Sequence, residues 1–358
     1  LDDAALTYAD IDAVVIGNVC SKEPIVRLYD HSVQGTNALP PFSGVAHDGP
    51  NDAVVLTPIL GKPYGLIISH GLNPALNRID PYWGSIWAGV EALANLVAVG
   101  GNPHEAWLID NFIWPFPDEE ALGALDRSVD ACVDLSDAFQ IPYISGKDSL
   151  SSTYRGKDGT VIKIPPVLCV SAFGKIPDVS KTITADFKEP GSNIVLLGQP
   201  QFDAMGGSAY LDVRGVESGK IPRIDLGLQR RIFDALHQCI WEGKILAAHD
   251  ISEGGIAVAL AEMCFGGGCG VHIVPDDFRK IRPDLFLFGE TAGCFLLEVR
   301  ERDLKSNLFP GLPWSEIGMV LRGPSSVIAI NHPACYGVIP VEDLKQAWQR
   351  PMKEVFHG

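Results

Sequence analysis

The chain has 358 residues, 46% of them hydrophobic and 20% charged, which is typical of a globular protein with two domains. Its formal net charge is -16 and no basic run offsets it, so nucleic acid and anionic membrane surfaces are excluded as partners. No apolar run is long enough to span a bilayer, and the eight cysteines form no CxxC pair and no disulfide framework, so we expect a cytoplasmic protein.

The first half of the chain predicts an α+β layer. Residues 1–36 are weakly periodic and form a lead-in segment. The pattern then predicts strands over 53–59, 64–69, 104–110, 141–145 and within 159–175, and helices over 82–99 and 119–139. This order indicates an N-terminal domain over residues 37–176, in which helices cover one face of a mixed sheet.

The pattern changes after the proline-bounded stretch 177–190. Strands are predicted over 194–198, 245–249, 293–299, 315–321 and 327–330, and helices over 228–242 and 256–264. We expect an α/β domain over residues 177–358.

The predicted helix over 82–99 has no polar face, so we expect it to be buried. Asp80 is a good N-cap, and Pro81 suits the first helical position. Glu91 and Asn95 lie four residues apart and therefore share one side of this helix. A buried carboxylate needs neutralisation, which bound Mg²⁺ would provide. The alternatives are a glutamate that faces an inter-domain crevice or one that pairs with a distant arginine.

Three polar groups stand where predicted strands begin or end, a common place for ligands in α/β layers. They are Asn51–Asp52, the GKDS of residues 146–149 and the HDISEGG of residues 249–255. Glycine beside a lysine or serine allows close approach to a phosphate, although GKDS lacks the spacing of a Walker A loop. The alternative for HDISEGG is a plain strand–helix turn capped by Asp250 or Ser252.

The carboxylates among these residues favour magnesium over zinc. Asp52, Glu91 and Asp250 with the amide of Asn95 would give three negative ligands and one neutral oxygen. Zn²⁺ would instead require histidine or cysteine. Mg²⁺ carried on nucleotide phosphates fits this set.

Six motifs carry a family resemblance. In chain order, they are HDGPNDAVVL, RIDPYWGSIWAGVEALANLVAVGGNP, SGKDSLS, IKIPPVLCVSAFGKI, AMGGSAYL and HDISEGGIAVALAEM. Together they resemble the phosphoribosylformylglycinamidine synthases of purine biosynthesis. That family contains two tandem halves, each built like aminoimidazole ribonucleotide (AIR) synthetase, or PurM, from an N-domain and a C-domain. The stretch YDHSVQG is similar to the opening of the second half, and since the first residue is Leu1 rather than Met, we expect this chain to be that half alone.

The resemblance implies an ATP-dependent carbon–nitrogen ligase. ATP activates the formamide oxygen of formylglycinamide ribonucleotide, and ammonia from glutamine then displaces the phosphate. The implied cofactors are Mg²⁺ and ATP or ADP. By position, Asp52, Glu91, Asn95 and Asp250 match the metal ligands of the second half's nucleotide site. Asn51 and Ser252 are assigned to the nucleotide.

A second implied set of residues reaches the catalytic site of the first half. Asp110 and Gly146 match ATP-contacting positions, and Ser149 matches a substrate-contacting position. Lys147 stands where short family members have an asparagine that binds Mg²⁺. Lysine cannot bind Mg²⁺ but can pair with a phosphate, so we assign Lys147 to nucleotide binding.

The resemblance also implies partners. The catalytic histidine motif of the first half and the Cys-His-Glu glutaminase are not in this sequence. We therefore expect the chain to need the first half and a glutaminase that supplies ammonia, and to be inactive alone. Because the N-domains of the family pair face to face, we expect the isolated chain to form a homodimer. The alternatives are a structural nucleotide-binding module and a complete small synthetase or kinase of the same superfamily.

Overall fold

The computed structural model describes residues 8–28, 32–216, 219–321 and 326–357. The helices within these ranges are α1 Tyr8–Ile16, α2 Glu23–Val26, α3 Pro74–Ile79, α4 Pro81–Ala98, α5 Glu119–Phe139, α6 Ala209–Val213, α7 Leu226–Trp241, α8 Gly255–Gly267, α9 Pro283–Phe288, α10 Glu301–Leu304 and α11 Val341–His357. The strands are β1 Asn37–Leu39, β2 Phe42–Ser43, β3 Gly49–Pro50, β4 Val54–Leu56, β5 Gly65–Gly71, β6 Ala106–Ile113, β7 Tyr143–Ser149, β8 Thr153–Arg155, β9 Val161–Lys163, β10 Val167–Ile176, β11 Asn193–Leu197, β12 Ile245–Asp250, β13 Val271–Ile273, β14 Phe295–Val299, β15 Trp314–Val320, β16 Val327–His332 and β17 Cys335–Pro340. No helix among these is both long and apolar enough to cross a membrane.

The N-terminal domain is a mixed sheet, as predicted. Its strand order is β1-β4-β5-β10-β6-β7, and only the β6–β7 pair is parallel. Side chains alternate along β5, β6 and β10, and the buried set faces α4 and α5. On the opposite face, Ile68, Phe173 and Trp107 pair across three strands and are only half-buried.

Helix α4 is the buried helix that the sequence predicted. The carboxylate of Asp80 accepts hydrogen bonds from the backbone amides of Tyr82 and Trp83, and Pro81 opens the first turn. The helix packs against β5 and β10 of its own domain and against β12 and α7 of the C-terminal domain. One hydrophobic core therefore includes residues of both domains, with α4 at its centre.

The C-terminal domain has helices on both faces of its sheet, but its strands run mostly antiparallel. The order is β12-β14-β11-β15-β13-β16-β17, and only β13 and β16 are parallel neighbours. Strands β11 and β14 are buried along their whole length because α7 lies on the side of α4, while α8 and α1 cover the other side. Continuous apolar strands of this kind need two covered faces.

Two segments differ from the sequence-based prediction. The described part of the lead-in contains α1, whose Val14 and Val15 are fully buried in the core of the C-terminal domain. The GKDS segment lies inside β7 rather than after it, because β7 extends to Ser149 as the edge strand beside β6. An edge strand with polar residues has no hydrophobic alternation, so its extent was not visible in the pattern.

The predicted boundary between the domains is a packed connection. Ala185 and Phe187 are buried. The buried carboxylate of Glu298 accepts hydrogen bonds from the amide of Lys188 at 2.8 Å and from the amide of Glu189 at 2.7 Å. These hydrogen bonds therefore hold the connection against β14 of the C-terminal domain.

Candidate functional site

The predicted metal ligands Asp52 and Asp250 meet across the seam between the domains. Asp52 lies just before β4, and Asp250 ends β12. Oδ1 of Asp52 accepts a hydrogen bond from the backbone amide of Asp250 at 2.9 Å. It also lies 2.9 Å from Nδ1 of His249. Ligand atoms of these three residues all lie within 4.8 Å of one another.

His249 is held by carboxylates at both ring nitrogens. Its Nε2 lies 3.0 Å from Oε2 of Glu262, opposite the Asp52 contact. Burial lowers the pKa of His249, but the charges and hydrogen bonds of Asp52 and Glu262 outweigh it and raise the pKa well above its usual range. Both ring nitrogens therefore contact carboxylate oxygens, which leaves neither nitrogen free to bind a metal.

The glycines of HDISEGG shape the turn before α8. Gly254 and Gly255 have φ angles of 85° and 67°, in the left-handed region. A Cβ on Gly255 would also lie 2.8 Å from the carbonyl oxygen of Leu287. Gly254 is the N-cap residue, and none of the described side chains caps α8. The alternative in which Asp250 or Ser252 caps this helix is therefore wrong.

Three of the four predicted metal ligands carry an oxygen that is buried and unpaired within the described part of the chain. These atoms are Oδ2 of Asp52, Oδ2 of Asp250 and Oδ1 of Asn95. The amide nitrogen of Asn95 donates to the carbonyl of His70 at 2.9 Å, which leaves its oxygen as the group without a partner. Burying such oxygens is costly, so the donor set fits a hard divalent cation such as Mg²⁺.

Glu91 belongs to the same charged group. Its Oε2 accepts a hydrogen bond from the amide of Leu72 at 2.8 Å. Burial raises the pKa of Glu91 well above its usual range, and the charges of Glu253 and Asp250 raise it further. Burial and the charge of Asp52 likewise raise the pKa of Asp250. The cluster therefore attracts either protons or cations.

Besides His249, four residues around this cluster were not among the predicted site residues. Burial raises the pKa of Glu253 to about 7, and the charge of Lys22 opposes that shift. Oε1 of Glu290 accepts hydrogen bonds from the amides of Gly254 and Ala209, at 2.7 and 2.8 Å. Glu253 was within the HDISEGG motif and could have been chosen. Lys22, Glu262 and Glu290 come from distant segments, and no local pattern connects them with the cluster.

Of the residues assigned to the nucleotide, Ser252 lies close to the cluster, with its Oγ 3.4 Å from Oδ1 of Asp250. Asn51 is engaged within the protein. Its Oδ1 accepts a hydrogen bond from Ser43 at 2.9 Å, and its Nδ2 donates to the carbonyl of Pro40 at 2.9 Å. The assignment of Asn51 to the nucleotide stays a prediction.

The second predicted set of site residues lies on β6 and β7, at the edge of the first sheet opposite β1 and β4. Asp110 and Gly146 are register partners, and a Cβ on Gly146 would clash with the Asp110 carboxylate. Burial, followed by the charge of Asp148, raises the pKa of Asp110. Lys147 donates a hydrogen bond to Oγ of Ser149. These four residues therefore form one polar strip on an edge of the sheet, separate from the seam.

Comparisons with known proteins agree with this architecture. Residues 189–331 match the family model of the C-terminal domain of AIR synthase related proteins. The PurL subunit of phosphoribosylformylglycinamidine synthase from Deinococcus radiodurans is 32% identical over 345 residues, which cover 94% of this chain and 45% of that protein. Thermotoga maritima PurL complexed with FGAR superimposes with a TM-score of 0.71 at 16% identity, covering 95% of this chain and 54% of that one. The same protein complexed with ATP gives a TM-score of 0.68 at 17% identity, with 97% and 53% covered.

The two packed domains, each with its mixed sheet, define an AIR synthase-like protein. Within that class, the chain is a homologue of the PurL subunit of phosphoribosylformylglycinamidine synthase. It spans about half the length of the PurL proteins that it matches.

Proposed function

We propose that this chain acts as the second half of a phosphoribosylformylglycinamidine synthase. In this role, it contributes to the ATP-dependent conversion of formylglycinamide ribonucleotide into the amidine. It holds a magnesium nucleotide at the seam and presents one wall of the catalytic site from β7. The observation that carries the proposal is the pair of unpaired buried oxygens on the neighbouring carboxylates of Asp52 and Asp250, in a chain homologous to PurL.

In this proposal, Mg²⁺ is held by Asp52, Glu91, Asn95 and Asp250. When bound, the cation neutralises the buried carboxylates and the phosphates of ADP or ATP. The chain's own residues fix the site: the amide of Leu72 holds Glu91, and the carbonyl of His70 orients Asn95. Ser252 and the turn at Gly254 lie beside the place for the phosphates, where the N-terminus of α8 favours negative charge.

Calorimetry of ADP binding tests this site. ADP should bind in Mg²⁺ and lose most of its affinity in EDTA, because without a cation its phosphates face buried carboxylates. Asp52→Asn and Glu91→Gln should each weaken binding in Mg²⁺, since each removes a negative ligand. Equal affinity in EDTA and in Mg²⁺ would refute the metal assignment.

The strip on β7 is proposed to act across an interface. Ser145, Gly146, Lys147 and Asp148 are exposed on an edge strand, as expected for a surface that another protein completes. Asp110, Gly146 and Lys147 would contact ATP there, and Ser149 would contact the ribonucleotide substrate. The proposed partners are the first half of the synthase and a glutaminase that supplies ammonia.

Reconstitution tests the activity. The chain alone should not form the amidine from formylglycinamide ribonucleotide, ATP and ammonium, because phosphoryl transfer and amination need all reactants held in one closed site. Adding the first half in trans should give turnover with ammonium, and Ser149→Ala should then raise KM for the ribonucleotide. Turnover by this chain alone would instead favour a complete small synthetase.

A further inference from the structure

A network of hydrogen bonds between three residues holds one carboxylate of the proposed metal site. The network runs from Glu262 on α8 to His249 on β12 and ends at Asp52 before β4. It joins two secondary-structure elements of the C-terminal domain to the N-terminal domain. Both links are short, at 3.0 and 2.9 Å, and His249 is only 9% exposed.

The consequence of this arrangement is an oriented Asp52. Its Oδ1 receives two hydrogen bonds, one from His249 and one from the amide of Asp250. Its Oδ2 has no partner among the described residues, although its side chain is 0% exposed. A carboxylate fixed through one oxygen presents the other in a single direction.

We propose that His249, held by Glu262, is the positioning residue that sets Asp52 for cation binding. This inference rests on the proposed magnesium site. His249 itself does not touch the cation, because both of its nitrogens are occupied by carboxylates. Partners that orient metal ligands in this way typically change metal affinity by about 10- to 100-fold.

The geometry gives different expectations for the two amide substitutions of His249. In His249→Asn the amide nitrogen falls near the position of Nδ1, so the hydrogen bond to Asp52 can persist. In His249→Gln the amide falls near the position of Nε2, so the contact with Glu262 can persist while Asp52 is released. Both variants are neutral and polar, which makes them a matched pair for folding.

The test is titration of the whole chain with Mn²⁺ alone, followed by electron paramagnetic resonance of the free ion. His249→Gln should bind Mn²⁺ about 10- to 100-fold more weakly than wild type, and His249→Asn should recover most of that loss. Glu262→Ala should also weaken binding. The double variant His249→Gln/Glu262→Ala should bind no more weakly than His249→Gln, because the two residues act through one connection.

His237→Asn is the matched control, since the Nδ1 of His237 contacts the carbonyl of Gly100 at 3.2 Å and no carboxylate of the cluster. It should bind Mn²⁺ like wild type, and all variants should keep the wild-type circular dichroism spectrum. Equal affinities for His249→Asn and His249→Gln, or additive losses in the double variant, would overturn the inference. A wild-type chain that binds no Mn²⁺, or an Asp52→Asn variant that binds it normally, would instead overturn the proposed metal site.

Discussion

Glu290 shows how one buried carboxyl group can make stability depend on pH. Burial, together with the charge of Glu253, raises the pKa of Glu290 to about 8. Its Oε1 accepts hydrogen bonds from the backbone amides of Gly254 and Ala209. In the unfolded chain, this carboxyl group loses its proton near the usual pKa of glutamate. Between that value and pH 8, the folded state therefore binds more protons than the unfolded state, so stability falls as pH rises.

We expect Glu290→Gln to remove part of this pH dependence. Glutamine keeps an Oε1 acceptor for both amides but carries no titrating proton. Urea denaturation without Mg²⁺ should give similar free energies of unfolding for wild type and variant at pH 5. At pH 8.5 the variant should be more stable, by a few kcal/mol as an order of magnitude. Glu242→Gln, at an exposed site with a lowered pKa, should leave the slope unchanged.

Individual residues also show what could and could not be predicted from the sequence. The N-cap Asp80 and the pair Glu91 and Asn95 were predictable because capping and helical spacing are local properties. The neighbourhood of Asp52 was not, because His249 and Glu262 reach it only through tertiary contacts. Contacts between residues that are far apart in the sequence cannot be predicted from a local pattern, although a resemblance to a known family can indicate them.

Among the secondary-structure elements, β5 and α4 pack closely beside Glu91. Gly71 ends β5 where a Cβ would clash with the Ala88 carbonyl and lie 2.6 Å from the amide of Ala92. The same Cβ would lie 2.8 Å from Cβ of Glu91. These neighbours are backbone atoms and a Cβ of α4 rather than the end of a flexible side chain, so glycine is required here for close packing and not for its φ angle.

Gly71→Ala should therefore destabilise the protein by about 1–3 kcal/mol, the usual cost of overpacking a core. Thermal denaturation measures this change, and ADP binding in Mg²⁺ should weaken as Glu91 is displaced. Gly123→Ala is the control, because no other group lies near that position in α5. It should stabilise the helix by up to about 1 kcal/mol. An unchanged melting temperature for Gly71→Ala would mean that α4 can shift away from β5.

Elements with strong periodicity were predicted well. The bounds of α5 match the predicted helix, and those of α4 differ by one residue at each end, because both are long and have clear N-caps. The short β1 to β3 and the helices α1 and α11 were not predicted. The positions of α1 and of β1 to β3 depend on packing against the rest of the protein, which a local pattern does not record. Helix α11, in contrast, has an amphipathic pattern and could have been predicted, since Val341, Leu344 and Trp348 are buried at helical spacing.

At the scale of the whole molecule, the exposed sheet face offers a surface for pairing. Ile68, Phe173 and Trp107 form a half-buried apolar row on the side away from α4 and α5. We expect the isolated chain to pair through this face, since burying apolar area favours association. Phe173→Glu should shift the mass measured by light scattering from dimer to monomer. Val355→Glu, at an exposed position on α11, should not. A wild-type monomer at micromolar concentration would contradict this expectation.

The core around α4 has a consequence for how the molecule loses its structure. Leu93 and Val97 of α4 share one hydrophobic cluster with Phe233 and Phe295 of the other domain. Because each domain supplies walls of this shared core, we expect the two domains to unfold together, in a single transition that calorimetry would record. On this expectation, the two domains are units of topology rather than of cooperativity. We also expect a fragment cut at the domain boundary to expose part of this apolar core to water and to aggregate.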